Sequence, residues 1–150
     1  MDKGFKGFGS LKKDGLIAIF IFSLVFIYLA IRAFMVPLVH DEVATFFHYI
    51  QKGEFLPPLA HWDANNHILN SILSYFSYLL FGSSELSLRL SNLIFFPVFF
   101  FFVYRISNLL RNSILKWAFF ITFVFAHNFI EYFALSRGYG MSMALLLKPL

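Results

Sequence analysis

The chain contains no cysteine. Disulfides and thiolate metal sites are therefore excluded, and sulfur chemistry says nothing about the redox compartment. Charge is almost as scarce, with Asp, Glu, Lys and Arg making up 13% of the 150 residues against 59% hydrophobic residues and 23 Phe. A soluble domain carries about a quarter charged residues, so a membrane protein is the expected class. The surplus of positive charge is small, formally +4. The basic residues are scattered rather than striped with exposed aromatics, which argues against a nucleic-acid partner. No internal repeat stands out, and the only biased stretch is the Phe-rich "FFPVFFFFVY", read as lipid-facing bulk rather than a functional aromatic box.

What the chain does have is long apolar runs. The first extends from Leu16 to about Pro37 and is preceded by Lys3, Lys6, Lys12 and Lys13. The positive-inside rule makes residues 1–15 cytoplasmic and 16–38 a transmembrane helix that leaves the membrane near Val39. A cleaved signal peptide also starts with a basic segment and an apolar run. The length of this run and the lack of a following Ala-x-Ala site weigh against that alternative. Arg32, about one turn inside the outer end, is placed to snorkel outward.

The next apolar segment is one-faced. Ile68, Leu69, Ile72, Leu73, Phe76, Leu79 and Leu80 recur at helical spacing, while Asn66, Asn70, Ser71, Ser74 and Ser77 fall mostly on the other side. The pattern predicts an amphipathic helix over 67–82, short of the roughly 20 residues that a span needs. It fits a helix lying in the interface plane. Charge supports that placement. Were the segment to cross, the following span would return outward and leave Arg105, Arg111 and Lys116 outside, against the positive-inside bias. With the helix flat, residues 39–89 form one outer loop, and further spans follow at about 90–106, 117–131 and 139–150. Pro97 is a candidate kink in the first of these. The last is incomplete, since Lys148 and Pro149 stand where a span should continue. The chain is thus expected to be the front part of a larger protein or a shortened gene product. The expected fold class is all-α, a polytopic integral membrane protein.

Chemistry concentrates in the first outer loop. It carries Asp41, Glu42 and Asp63 with His40, His48, His61 and His67, interleaved with Phe, Tyr and Trp62. A carboxylate just outside a span, above an apolar floor, can be tuned for general-base work. The plainer reading is that Asp41 or Glu42 caps the helix "EVATFFHYIQKG", where an acidic residue meets unpaired amides and the helix dipole. Capping and catalysis are compatible, because a capped carboxylate is also a fixed one. His40, His61, Asp63 and His67 offer nitrogen and oxygen ligands for a divalent metal. Their spacing matches no compact ligand motif, and solvated interfacial histidines are the better reading. No metal ligand is assigned on this basis. Glu131 and Arg137 lie near the outer end of a later span, placed to pair with each other or with a charged substrate.

The order of these features resembles a family. Asp41-Glu42 just after the first span, "NNHILNSILSYFSYLLFG", "SELSLRLSNLIFF" and "EYFALSRGYGMSMALL" together look like the front of the polytopic GT-C glycosyltransferases. The likeness is to the branch holding protein O-mannosyltransferases, lipid A aminoarabinose transferases and RgtA/B/C/D-like bacterial enzymes, and it covers about Val39 to Leu147. It implies inverting transfer of a sugar from a polyprenyl-phosphate donor to a hydroxyl of a lipid or glycan acceptor. Within that resemblance Asp41 matches the general base, with Glu42 the second choice, and the amphipathic segment matches a juxtamembrane helix. His67, Arg89, Glu131, Arg137 and Tyr139 match substrate-binding positions, Arg137 towards the donor phosphate. The chain departs from the His-Pro-Pro-Leu element common in the family, since His67 precedes Ile68-Leu69 and Pro57-Pro58 comes earlier. The resemblance implies the bacterial cytoplasmic membrane with the active side outward, names no cofactor and leaves a divalent metal open. A non-catalytic membrane protein, or a remnant of such an enzyme, is the alternative expectation.

Overall fold

The computed structural model describes residues 8–56, 59–63 and 66–147, with side chains from residue 13 onward. Lys3, Lys6, Pro57-Pro58, Lys148 and Pro149, and the side chain of Lys12, lie outside the described residues. Among the described residues all regular structure is helical. Two helices, α1 (Phe8–Met35) and α4 (Glu85–Ser107), are long and apolar enough to cross a membrane. A third candidate is the pair α5 (Ser113–Phe125) and α6 (His127–Phe133), bent by 50° at Ala126. The expected last span appears as the short helix α7, Tyr139–Leu146.

Helix α1 is apolar all round, as a helix is when no side of it meets water. It buries a narrow stripe of Ala18, Val25, Leu29 and Ala33 and leaves Leu16, Phe20, Ile27 and Phe34 exposed. It ends before Pro37, whose ring cannot continue a helix. Helix α4 starts where the Ser84 hydroxyl accepts the Ser87 N–H, and it continues through Pro97. The Phe-rich run corrects its expected lipid-facing role. Phe96, Phe99, Phe100 and Val103 share one helical face and are buried, with Phe96 ringed by Phe22, Phe26 and Phe133. Aromatic packing, stacked on Phe22 and Phe26 and edge-to-face on Phe133, thus forms the centre of the bundle.

The ends of these helices are tied together. The Arg89 guanidinium, in the second turn of α4, donates to the carbonyls of Ala33, Val36 and Pro37 at the end of α1. At the opposite end Lys116, in α5, meets Asp14 of α1 at 2.6 Å. Helices α1 and α4 are therefore antiparallel, and α5, packed on α4, starts at the same end as α1. The intervening segment, 36–84, leaves and re-enters the bundle at one and the same end.

That segment holds α2 (His40–Thr45), a π-helical turn (Phe46–Ile50) and α3 (Ile68–Phe81). The amphipathic pattern of α3 is present, but its polar face is the one that packs. Asn70, Ser71, Ser74 and Ser77 are buried, while Phe76, Leu79, Leu80 and Phe81 are exposed. Ser74 donates to the Leu88 carbonyl and lies 3.0 Å from the Ser91 hydroxyl, and Ser77 pairs with Ser87. Asn70 accepts from Ser91 and Asn92 and donates to Ser136. Small polar residues that let two helices approach closely are how helices associate in lipid. Gly82, at φ 78°, then turns the chain into α4.

Candidate active site

The site starts from the break at Pro37. Beyond it α2 begins at His40, and the third residue of the helix, Glu42, reaches back to accept the Val39 N–H at 3.0 Å. This is half of a capping box, so the capping role expected of either acid falls on Glu42. The same carboxylate takes a two-pronged ion pair from Arg89, Nε to Oε1 at 2.8 Å and Nη2 to Oε2 at 2.6 Å. Its Oε1 also accepts the backbone N–H of Ser136 at 2.6 Å. Both side chains are 0% exposed. A guanidinium has five N–H donors. With Glu42 and the carbonyls of Ala33, Val36 and Pro37, every one of Arg89's has a partner. Glu42 and Arg89, expected at a catalytic and a substrate position, thus face each other inside the bundle. A buried pair this fully hydrogen-bonded holds four chain segments at a point: the end of α1, the start of α2, α4 and the loop after α6.

Asp41 is turned the other way by the helix. Its Oδ2 meets Arg137 Nη1 at 2.7 Å, and the two side chains are 35% and 26% exposed. Its Oδ1 lies 3.3 Å from Nδ1 of His40, whose ring is almost fully exposed. The Arg137 guanidinium also lies over the Tyr139 ring, 5.3 Å from its centre, a cation–π placement. Between them Gly138 adopts φ 69°, and a Cβ there would meet His67 Cβ at 3.0 Å and Asn70 Cβ at 3.1 Å. Only glycine fits that contact, which brings the start of α7 against the start of α3.

His67 sits at that junction, its ring edge-on to Tyr139 at 4.8 Å and its Nε2 buried without a hydrogen-bond partner. Burial first, and then the nearby Arg137 charge, push its pKa below the ordinary value, so the neutral ring is favoured. Beside it a cleft of about 190 Å³ opens between α3 and α7, lined by His67, Asn70, Gly138 and Ser142 among others. Asp41, His67, Arg137 and Tyr139 therefore form one connected group.

Glu131 does not join it. The pairing considered for Glu131 with Arg137 is replaced by an ion pair with Arg32, and His127 lies 3.8 Å away. Helix α6 turns Glu131 towards α1, whereas Arg137 follows the bend at Ala134–Ser136. Arg32, placed by its position to snorkel, is held by this pair instead. Of the loop histidines, His48 and His61 stack face to face at 4.3 Å. The neighbouring Tyr49 hydroxyl donates to the His61 carbonyl, and burial, with Asp63 second, pushes its pKa up. Among the described residues no three His, Asp or Glu side chains are gathered as a metal ion would need.

The residues that sequence reasoning missed are Ser136 and the inward role of Asn70. Ser136 acts through its backbone N–H and carbonyl, which no side-chain pattern reveals. Asn70 left a signal, since polar residues on one face of α3 are matched by Ser87, Ser91 and Asn92 inside an otherwise apolar α4. No protein-family profile, curated protein or solved structure matches the chain. The class defined here is accordingly coarse: an all-helical protein with two helices fit to cross a membrane.

Proposed function

We propose that the chain carries the reactive pair of a membrane glycosyltransferase, in which Asp41 is the general base and Arg137 binds the phosphate of a polyprenyl-phosphate sugar. The observation that carries this reading is the Asp41–Arg137 ion pair, at 2.7 Å and partly open to solvent. It sits at the end of α1, beside a helix whose outward face is apolar and uncharged. A lipid-linked phosphate cannot leave the bilayer cheaply, because each buried CH₂ holds it by about 0.8 kcal/mol. Its reaction partners must come to the interface. Segment 36–84 returns to the end it left, which supports α3 lying along the membrane surface rather than crossing it. Lys13, Arg105, Arg111 and Lys116 belong to the opposite end, so the positive-inside rule supports an outward-facing site.

The chemistry follows from the pair. At rest the two charges neutralise each other. A donor phosphate takes the planar fork of Arg137 for itself and thereby releases the Asp41 carboxylate for an acceptor hydroxyl. Asp41 removes the hydroxyl proton as the oxygen attacks the anomeric carbon from the face opposite the phosphate. The new C–O bond forms, the bond from the anomeric carbon to the phosphate oxygen breaks, and the electron pair leaves on the polyprenyl phosphate. Arg137 stabilises that growing charge. The result is inversion at the sugar. The fit with the bacterial cytoplasmic membrane and with a lipid or glycan acceptor rests on the family resemblance alone.

Asp41→Asn, in the full-length protein reconstituted with a polyprenyl-phosphate sugar, should lower transfer at least about a hundredfold, the lower range for losing a general base. Membrane insertion should be unchanged. Transfer retained at the parent level would remove Asp41 from the role of base. The competing reading, a membrane protein without activity, draws on the same ion pair being complete in itself; it predicts no transfer from either protein.

A further inference from the structure

We infer that Glu42 is a positioning residue whose carboxylate brings Asp41 and Arg137 together; this rests on the reading of those two as the reacting pair. Asp41 and Arg137 are distant in sequence and belong to different parts of the fold, a helix start and a loop. Neither belongs to a rigid element that would by itself set their separation. Glu42 touches both sides. Through its own backbone it is the next residue after Asp41 on α2, and its Oε2 accepts the Val39 N–H that fixes where α2 begins. Its Oε1 accepts the N–H of Ser136, the residue immediately before Arg137, at 2.6 Å. One buried carboxylate therefore joins the peptide carrying the acid to the peptide carrying the guanidinium.

The surroundings make this a clamp rather than an incidental contact. Arg89 neutralises the carboxylate and orients both its oxygens by the two-pronged pair. Asn70 holds the other side of the Ser136 residue, donating to its carbonyl at 3.2 Å. The peptide groups on both sides of Ser136 are thus pinned, the one before it at the N–H by Glu42 and the one leading into Arg137 at the carbonyl by Asn70, and Arg137 starts from a fixed point. Reaction geometry is sensitive to such pins, since a displacement of about 1 Å can lower a rate about a hundredfold.

Glu42→Asp separates this role from a purely structural one. It keeps the negative charge for Arg89 but shortens the side chain by one carbon–carbon bond, about 1.5 Å, drawing it back from Ser136. Because the chain has no cysteine, Asp41→Cys with Arg137→Cys gives the only thiols, and a short bifunctional thiol reagent reads their proximity without any need for activity. Asp14→Cys with Lys116→Cys, at the far end of the bundle, is the control pair. With Glu42 present both pairs should cross-link efficiently. With Glu42→Asp the 41–137 cross-link should fall several-fold while the 14–116 cross-link holds. An unchanged 41–137 yield would overturn the inference. Loss at both pairs would overturn it too, by making Glu42 a determinant of the whole bundle. In the protein with native Asp41 and Arg137, Glu42→Asp should also lower transfer about a hundredfold. If the cross-link responds as expected but Asp41→Asn leaves transfer intact, the clamp stands and the catalytic reading fails.

Discussion

At the scale of single residues, the acidic pair after the first apolar run divides its work. Glu42 is enclosed with Arg89, caps α2 and holds Ser136; Asp41 faces outward to Arg137. Two adjacent residues on a helix point about 100° apart, so one can belong to the interior while the other belongs to a site. His67 adds a pH dependence to this arrangement. Its depressed pKa means that the folded protein holds the neutral ring more strongly than the unfolded chain does. The resulting stability is fully present above the ordinary histidine value of 6.5 and is lost as the pH falls through the depressed value. Thermal unfolding in detergent between about pH 8 and about pH 5 should show a larger fall in Tm for the parent than for His67→Asn, which cannot take up a proton. Equal falls in the two proteins would show that His67 is not the group responsible. The two acids were visible in the sequence as candidates, but their division was not, because it depends on partners, Arg89 and Arg137, 47 and 96 residues away.

At the scale of elements, the informative case is α3. Its helical period and its limits near 67–82 were legible from the spacing of apolar residues, and the structure has the helix at Ile68–Phe81. Which face would be buried was not legible from amphipathicity, since the rule that polar residues face water assumes water outside. Here Ser74, Ser77 and Asn70 pack on α4 and the leucines face outward, the arrangement suited to lipid surroundings. The Phe-rich stretch of α4 differs for another reason: an all-apolar run does not say which of its faces meets lipid and which meets other helices, and here Phe96, Phe99 and Phe100 fill the bundle while Phe101 stays exposed. Asn70→Ala should therefore be costly. It removes the partner of Asn92 Nδ2, Ser91 Oγ and the Ser136 carbonyl, and should destabilise the protein by about 3 kcal/mol. Leu79→Ala, on the exposed face, should change stability in detergent by less than about 0.5 kcal/mol. Denaturant titration of both variants in the same detergent checks this, and similar values for the two would contradict the inward polar face.

At the scale of the whole molecule, the helices sort charge by end. Asp14 with Lys116 ties one end, beside Lys13, Arg105 and Arg111; Arg89 with Glu42, and Arg32 with Glu131, tie the other. The sequence already carried this sorting in the spacing of basic residues between apolar runs, which is why the run order was readable. The incomplete last span was readable too, but the bend at Ala126 was not, since no proline or glycine marks it, and neither was the Arg32–Glu131 partnership, which joins residues 99 apart in the chain. Everything proposed for Asp41 and Arg137 depends on their standing in water on the membrane face opposite the basic end. The direct measurement uses the cysteine-free chain: single cysteines at His40, Ser83 and Arg111, all exposed, treated with a membrane-impermeant maleimide on intact cells. Labelling of the His40 and Ser83 positions from outside, with Arg111 reached only after permeabilisation, is the predicted result. Labelling of His40 from outside but of Ser83 only after permeabilisation would mean that α3 crosses the membrane, and would contradict the site as described.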